Sequence, residues 1–580
     1  MEPVAGADKK DKLSWLWWTL LAAIFVAPVF VHLDFENDRT LPRLQLVTPH
    51  VLSGDEPHYM VMVSSLVLDG DLAIDNNYER AYKQHTWDAG EFHAGSELYF
   101  KGHMAGPTQP WHWPGMPLLI SALVWPLAHT RYLEAAAVLL STVAGLLGLV
   151  AVALVLRHLE PRRVLRTVAV IAFATPVWHY SGRMFTEIYL FALLAWAVYF
   201  GFVRSRWMTA GAILAAGVTI NVPFLVPGGA IGLWLLYRRQ WRTAVRYAIP
   251  FFVVGLLFVA YLFYLFGSPF GHGAAAVAGK AEPDGVNRAF EFKFFALRHL
   301  AKDAVYILFS GEHGLFLFSP VLIASLWGIA PCVRRRPFDG LVWVVAIFYV
   351  FFCLYMGWWG GYSYGTRYFV MVQPIFAVWL HLMWPGIRRR FWQVVVALLA
   401  AVSIFTNAQA ALAPGRFFSA PPWTLIYLPS SEVVEGKLFT PMWFEARGGD
   451  YTEEGTIATK VSEIRRSKYG PHRRNAPLRL FSPYAHFAPG TYEARFWLRY
   501  PGGGKVFLGV FRRTQRKSIA ALTLTSRSKG FDVATVRFKT EEPYSSRFLP
   551  YRWQPLRFFL RADGDADIEF QKLEVVRVGD

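Results

Sequence analysis

Two adjacent carboxylates, a histidine and a tyrosine follow one another in Ser53-Gly54-Asp55-Glu56-Pro57-His58-Tyr59, shortly after the first long apolar run. A carboxylate can take a proton from a hydroxyl, and one at a helix N-terminus is favoured in its ionised form by the exposed N–H groups. Asp55 stands where a helix N-cap is expected, because Tyr59, Met62, Val63, Leu66 and Val67 follow at helical spacing and Gly70 closes the run. The same Gly-Asp-Glu-Pro run also suits a plain turn into a surface helix.

Other ionisable groups recur at corresponding places between apolar runs. Arg183 and Glu187 lie in Ser181–Glu187, Glu312 and His313 in Ser310-Gly311-Glu312-His313-Gly314-Leu315, and Arg367 ends a Gly- and aromatic-rich stretch from Gly357. Lys101 belongs to the first polar loop, and Lys280, Arg288, Lys293 and Arg298 to the loop Gly267–Asp303. Charges beside a membrane are costly unless they pair or work. Carboxylates suit proton removal from an acceptor, and planar guanidinium groups suit phosphate oxygens. Each group also has a plainer use. Arg183 and Glu187 have the i, i+4 spacing of a structural tie, the aromatic stretch before Arg367 suits an interfacial belt, and Glu312-His313 suits a helix start. Asp563-Gly564-Asp565-Ala566-Asp567 begins like a calcium loop but has Ile568 where the mid-loop glycine belongs, so it reads as an acidic turn.

The elements that must position these groups are mostly membrane helices. The chain has 580 residues, is 54% hydrophobic and 17% aromatic, and has a mean hydropathy of +0.29. That composition excludes an ordinary soluble protein of this size. The net charge of +18 does not indicate nucleic acid, because much of the excess falls in short basic clusters between apolar runs. Cys332 and Cys353 form neither a metal spacing nor a disulfide framework.

Lys9-Lys10-Asp11-Lys12 followed by Leu13 to Val31 reads as an uncleaved first helix with a cytoplasmic N-terminus. Further runs lie at Pro114–His129, Glu134–Leu156, Val164–Tyr180, Ile188–Val203, Trp207–Ile220, Phe224–Tyr237, Val245–Phe266, Leu315–Cys332, Leu341–Met356, Phe369–Pro385 and Phe391–Leu412. Arg157–Arg166, Arg204–Arg206, Arg238–Arg246, Arg334–Arg336 and Arg388–Arg390 then read as cytoplasmic. With the Asp55 loop (about 34–113) outside, Pro114–His129 cannot be a simple full span. The expected fold is a polytopic α-helical membrane protein of about 11–13 helices over residues 1–413. Asn221-Val222-Pro223 is a polar break that suits a tight hairpin.

From Pro414 the pattern changes. Residues 414–480 read as a linker or irregular segment, and 481–580 as a C-terminal antiparallel β-sandwich on the outer side. Its alternating runs are Tyr492–Tyr500, Lys505–Phe511, Ile519–Thr525, Ala534–Phe538, Leu556–Leu560 and Ile568–Val578, punctuated by Pro-Gly, Gly-Gly-Gly and Asp-Gly.

Several of these stretches together resemble a family. Gly-Asp-Glu-x-x-Tyr after the first helix, the Gly-Arg-Met-Phe-Thr-Glu loop, the Gly-Glu-His-Gly-Leu-Phe-Leu-Phe-Ser-Pro helix start and the Gly-x-Arg element at Arg367 are similar to the GT-C superfamily of integral-membrane glycosyltransferases. In layout the chain resembles the bacterial relatives of protein O-mannosyltransferases and of lipid A aminoarabinose transferases. The resemblance covers about Leu13 to Leu412. It implies a polyprenyl-phosphate-linked sugar as donor, a glycan, lipid or protein acceptor in the cell envelope, and single displacement with inversion on the outer side of a bacterial inner membrane. It implies Asp55 as the base with Glu56 beside it, and His58, Tyr59, Lys101, Arg183, Glu187, Arg288, Glu312, His313 and Arg367 as substrate or phosphate contacts, Arg367 foremost. Some relatives use a divalent cation and others none, and the sequence displays no metal site. Two rival readings remain at this point: a transporter or flippase for a lipid-linked sugar, and a polymer-binding scaffold worked by the C-terminal domain.

Overall fold

The computed structural model describes residues 7–34, 43–51, 55–74, 76–77, 112–266, 297–309, 313–355 and 363–412. Toward the C-terminus it describes 437–440, 443–444, 459–460, 478–481, 485–486, 490–512, 517–524, 530, 532–540 and 555–579. By internal contacts the chain divides into Met1–Pro422 and Trp423–Asp580.

The first unit is helical. Leu133–Leu159, Thr186–Val203, Trp241–Tyr261 and Arg390–Leu412 are long and apolar enough to cross a membrane. Shorter apolar helices accompany them at Trp15–Val29, Gly115–Leu127, Val164–Phe173, Trp207–Ile220, Val222–Tyr237, Val321–Arg334 and Gly340–Leu354. Large apolar side chains such as Phe252, Leu257 and Leu398 are exposed on these helices, a surface that matches lipid rather than water.

Proline sets most of the breaks inside the expected runs, because it lacks the N–H that continues a helix. Val164–Tyr180 divides into Val164–Phe173 and Val177–Ser181, with Pro176 at the second N-cap. Leu315–Cys332 divides at Ser319-Pro320. Asn221-Val222-Pro223 forms the expected hairpin: Trp207 and Trp234, at the far ends of its two arms, have ring centres 5.9 Å apart. The stretch from Pro114 is a ten-residue helix, Gly115–Val124, with a short 3-10 turn, too short for a full span. Gly115 packs on Thr219, and Glu134, just beyond the stretch, accepts the Val51 N–H at 2.7 Å, so both ends stay near the Asp55 loop.

Helix Glu56–Ser64 forms where the spacing places it, continues as a π turn to Asp69 and stops at Gly70 in the left-handed region. Just before it, Val31–Asp34 pairs antiparallel with Arg43–Leu46.

Among the described residues, the second unit forms an antiparallel nine-stranded sheet built on two long strands, Gly490–Arg512 and Pro555–Gly579, paired with each other through most of their length. The expected breaks at Gly502-Gly503-Gly504 and Asp563-Gly564-Asp565 lie inside these strands instead of in turns. The register shifts between Gly564 and Asp567 absorb the irregularity as a bulge. The acidic-turn reading is therefore corrected to a bulged strand. Asp532–Thr540 pairs with the first part of Gly490–Arg512 and Lys517–Leu524 with the last. Alternation puts Tyr492, Phe496, Leu508, Val510, Phe538, Phe558 and Val575 into one core. Lys437–Thr440 and Thr459–Lys460, inside the expected linker, pair with Pro555–Gly579.

Candidate functional site

Four separated segments of the first unit converge on Asp55. They are the start of helix Glu56–Ser64, the turn Ser181–Phe185 leading into Thr186–Val198, the residues His112–Pro114, and the turn Ser363–Thr366 before the 3-10 turn Arg367–Val370.

Asp55 occupies the N-cap position, but its side chain makes no capping hydrogen bond. Its Oδ2 meets Arg367 Nη2 at 2.7 Å instead, a correction to the capping role. Arg367 donates from Nε to Glu187 Oε1, also at 2.7 Å, and its guanidinium lies over Phe185 with Cζ 4.6 Å from the ring centre. Burial works against the charge of Arg367, but Asp55 and Glu187 more than offset it and raise its pKa well above the usual arginine range. Among these three side chains Asp55 is the open one, 25% exposed, against 7% for Arg367 and none for Glu187.

Glu56 is turned the other way, into the protein. The Met184 N–H donates to its Oε1 at 2.8 Å, and Arg183 Nη1 lies 3.8 Å from its Oε2. Burial pulls the Arg183 pKa down to about 10, opposed by Glu56, which leaves it charged at neutral pH. The i, i+4 tie between Arg183 and Glu187 is therefore not what forms: each turns to a partner from elsewhere in the chain. The reason is geometric, since Arg183 precedes the helix that begins at Thr186 and does not share its face.

On the aromatic side of the site the sequence reading named His58 and Tyr59 but missed His112. His112 stacks on His58 with ring centres 5.5 Å apart and leans on Tyr59 at 4.7 Å. Burial lowers the His112 pKa, while Asp55 opposes the shift. The Tyr59 side chain lies beside Thr186, whose Oγ1 accepts from Asn221 Nδ2 at 3.4 Å. The Trp111-His112-Trp113 pattern, a histidine between two interfacial tryptophans, was the available signal for His112.

His313 is buried against the turn that carries Arg367. Its Nδ1 lies 3.2 Å from the Gly365 carbonyl, and its own carbonyl accepts from Thr366 Oγ1. It thereby braces the turn that presents Arg367. Gly365 has φ +60, and a Cβ there would meet the Phe318 ring at 2.9 Å, so the turn needs glycine twice over. Tyr180 donates to the Tyr364 carbonyl at 2.8 Å and Tyr364 to the Thr406 carbonyl at 3.1 Å, fastening the turn to the Arg390–Leu412 helix. Lys101, Arg288 and Glu312 lie outside the described residues. Among the described residues no group of three or more His, Cys, Asp or Glu side chains is arranged to hold a metal ion.

No family model and no curated protein matches the chain. Solved structures do. ArnT from Cupriavidus metallidurans in the apo state is 18% identical over 67% of this chain and 64% of its own, with a TM-score of 0.40. The same protein bound to undecaprenyl phosphate gives 18%, 66%, 63% and 0.39. The oligosaccharyltransferase of Archaeoglobus fulgidus is 13% identical over 72% of this chain and 58% of its own, at a TM-score of 0.39. The arabinosyltransferase EmbB of Mycobacterium smegmatis is 11% identical over 100% of this chain and 65% of its own, at 0.32. This chain thus spans 58–65% of the length of these structures, less than two thirds of each.

Proposed function

We propose that this protein is a membrane glycosyltransferase. It moves a sugar from a polyprenyl-phosphate donor to an envelope glycan, lipid or protein on the outer face of a bacterial inner membrane, with Asp55 as the base. The observation that carries this reading is the Glu187–Arg367–Asp55 chain, in which two contacts of 2.7 Å aim one partly exposed carboxylate out of an otherwise buried charged cluster.

In the proposed step the acceptor hydroxyl gives its proton to Asp55 as its oxygen bonds the anomeric carbon. The bond from that carbon to the phosphate oxygen breaks on the opposite face, and the configuration inverts. As Asp55 becomes neutral its hold on Arg367 weakens, and the guanidinium charge is released to stabilise the departing phosphate. Glu187 keeps Arg367 in place throughout. Glu56 and Arg183 position the Ser181–Phe185 turn, and His58, His112 and Tyr59 wall the site beside the base. Lys101 and Arg288, on the outward loops, are further cations for the donor phosphate.

The test is mass spectrometry of envelope glycans and lipids from cells lacking the protein, complemented with wild type or Asp55→Asn. A discrete sugar restored only by wild type supports the transferase and identifies donor sugar and acceptor. Full restoration by Asp55→Asn would overturn catalysis by Asp55 and favour a transporter of the lipid-linked sugar.

A further inference from the structure

At the far side of the first unit from Asp55, three hairpins are fastened into one arginine-rich face. Thr142 on the Leu133–Leu159 helix bonds Ser181, close to the candidate site. Leu159, at the end of that helix, lies roughly 25 Å further along at 1.5 Å per residue. There Arg335 donates from Nη1 to the Leu159 carbonyl at 3.3 Å. His381 Nε2 donates to the Glu160 carbonyl at 2.9 Å, and its Nδ1 lies 3.1 Å from Thr167 Oγ1. Trp384 Nε1 donates to the same hydroxyl at 3.1 Å. These contacts join the hairpins around residues 157–166, 334–340 and 384–390.

The cations these hairpins carry are all arginine. Residues 334–336 and 388–390 are arginine triplets, and the chain has no lysine between Lys101 and Lys280 or between Lys302 and Lys437. They are exposed apart from their local ties: Arg163 to Glu160 at 3.8 Å, and Arg166 over the Trp384 ring at 5.2 Å. The acidic residues of the three hairpins are Glu160 and Asp339, and Asp339 Oδ2 accepts from Trp234. A bias toward basic loops requires charge alone, which lysine supplies equally well. Exclusive arginine, braced by a shared buried network, adds the planar forks that match phosphate oxygens in pairs. Directly beside it Trp327 and Trp392 pack edge to face at 5.4 Å, both exposed, with exposed Phe391 next in sequence. Such an aromatic cluster marks headgroup depth, so the phosphates that this face meets belong to lipids.

We infer that this face is a binding site for the phosphate headgroups of anionic phospholipids, separate from the site at Asp55. The experiment uses the full-length protein in detergent, titrated with phosphatidylglycerol or phosphatidylcholine and read by native mass spectrometry. Wild type is expected to retain phosphatidylglycerol at least tenfold more tightly than phosphatidylcholine. The triple variant Arg166→Lys, Arg335→Lys, Arg389→Lys keeps the charge that orients the chain and is expected to lose most of that preference. Equal retention of the two lipids by wild type would overturn the inference. So would wild-type retention in the lysine variant, which would reduce the face to diffuse charge. Displacement of the lipid by inorganic phosphate at equal concentration would overturn the lipid assignment.

Discussion

Asp55 and Arg367 meet at 2.7 Å, although one opens a helix on the first polar loop and the other follows the turn Ser363–Thr366, more than 300 residues later. The contact makes the placement of the proposed base depend on a guanidinium that is itself held by buried Glu187. Removing either partner of a buried ion pair leaves an uncompensated charge, commonly a loss of about 3–5 kcal/mol.

Arg367→Gln is therefore expected to lower both activity and thermal resistance in detergent, and Glu187→Gln added to it should recover part of the resistance without the activity. Thermal inactivation of the two variants checks this. If the double variant were no more resistant than Arg367→Gln, coupling through Glu187 would be wrong. Arg367→Lys keeps the charge but cannot reach both carboxylates at once, so transfer should fall at least tenfold.

Glu56 and Asp55 are neighbours with different work. Glu56→Gln still accepts the Met184 N–H and should keep most activity, whereas Glu56→Ala leaves that donor and Arg183 without their partner. A loss of about 2–3 kcal/mol is expected for the alanine variant. The acid limb of the pH–rate profile should persist in Glu56→Gln and vanish with the residual activity of Asp55→Asn. Loss of that limb in Glu56→Gln would make Glu56 the base.

Two histidines, His313 buried and His32 half-buried, give stability a direction with pH. Burial lowers His313 to about 4, opposed by its bond to Gly365. Burial also lowers His32 to about 4, reinforced by the Arg183 charge. Unfolding returns each to about 6.5, so the unfolded chain binds more protons between pH 6.5 and 4. Their contribution is complete above pH 6.5 and is lost as pH falls toward 4, up to about 3 kcal/mol for a fully buried histidine. Inactivation temperature measured across that range should fall with pH, and less steeply in His313→Gln. An unchanged slope in the variant would remove His313 from the account.

Gly365→Ala should reduce transfer more than expression. It forces a side chain into the left-handed region, at about 1–2 kcal/mol, and onto Phe318, moving the turn that carries Arg367. Transfer rate compared with Phe318→Leu/Gly365→Ala checks this, since the smaller residue relieves the contact but leaves the backbone strain.

The local features were determined by the sequence itself. Apolar run lengths specified the helices, prolines their breaks, Gly70 the end of the Asp55 helix, and alternation the buried face of Tyr492–Tyr500. Each depends on residues within a few positions of one another, and so does the recognition of Asp55 as a carboxylate at a helix start. Partner choice was decided only by the tertiary structure. Arg183 turned from Glu187 to Glu56, Arg367 reached Asp55 and Glu187, and His313 braced Gly365. Gly502-Gly503-Gly504 and Asp563-Gly564-Asp565 became parts of two long strands, because cross-strand pairing can carry a bulge through glycine that local preference reads as a turn. A charged side chain can satisfy itself with any opposite partner within reach, and which partner that is depends on how helices distant in sequence pack.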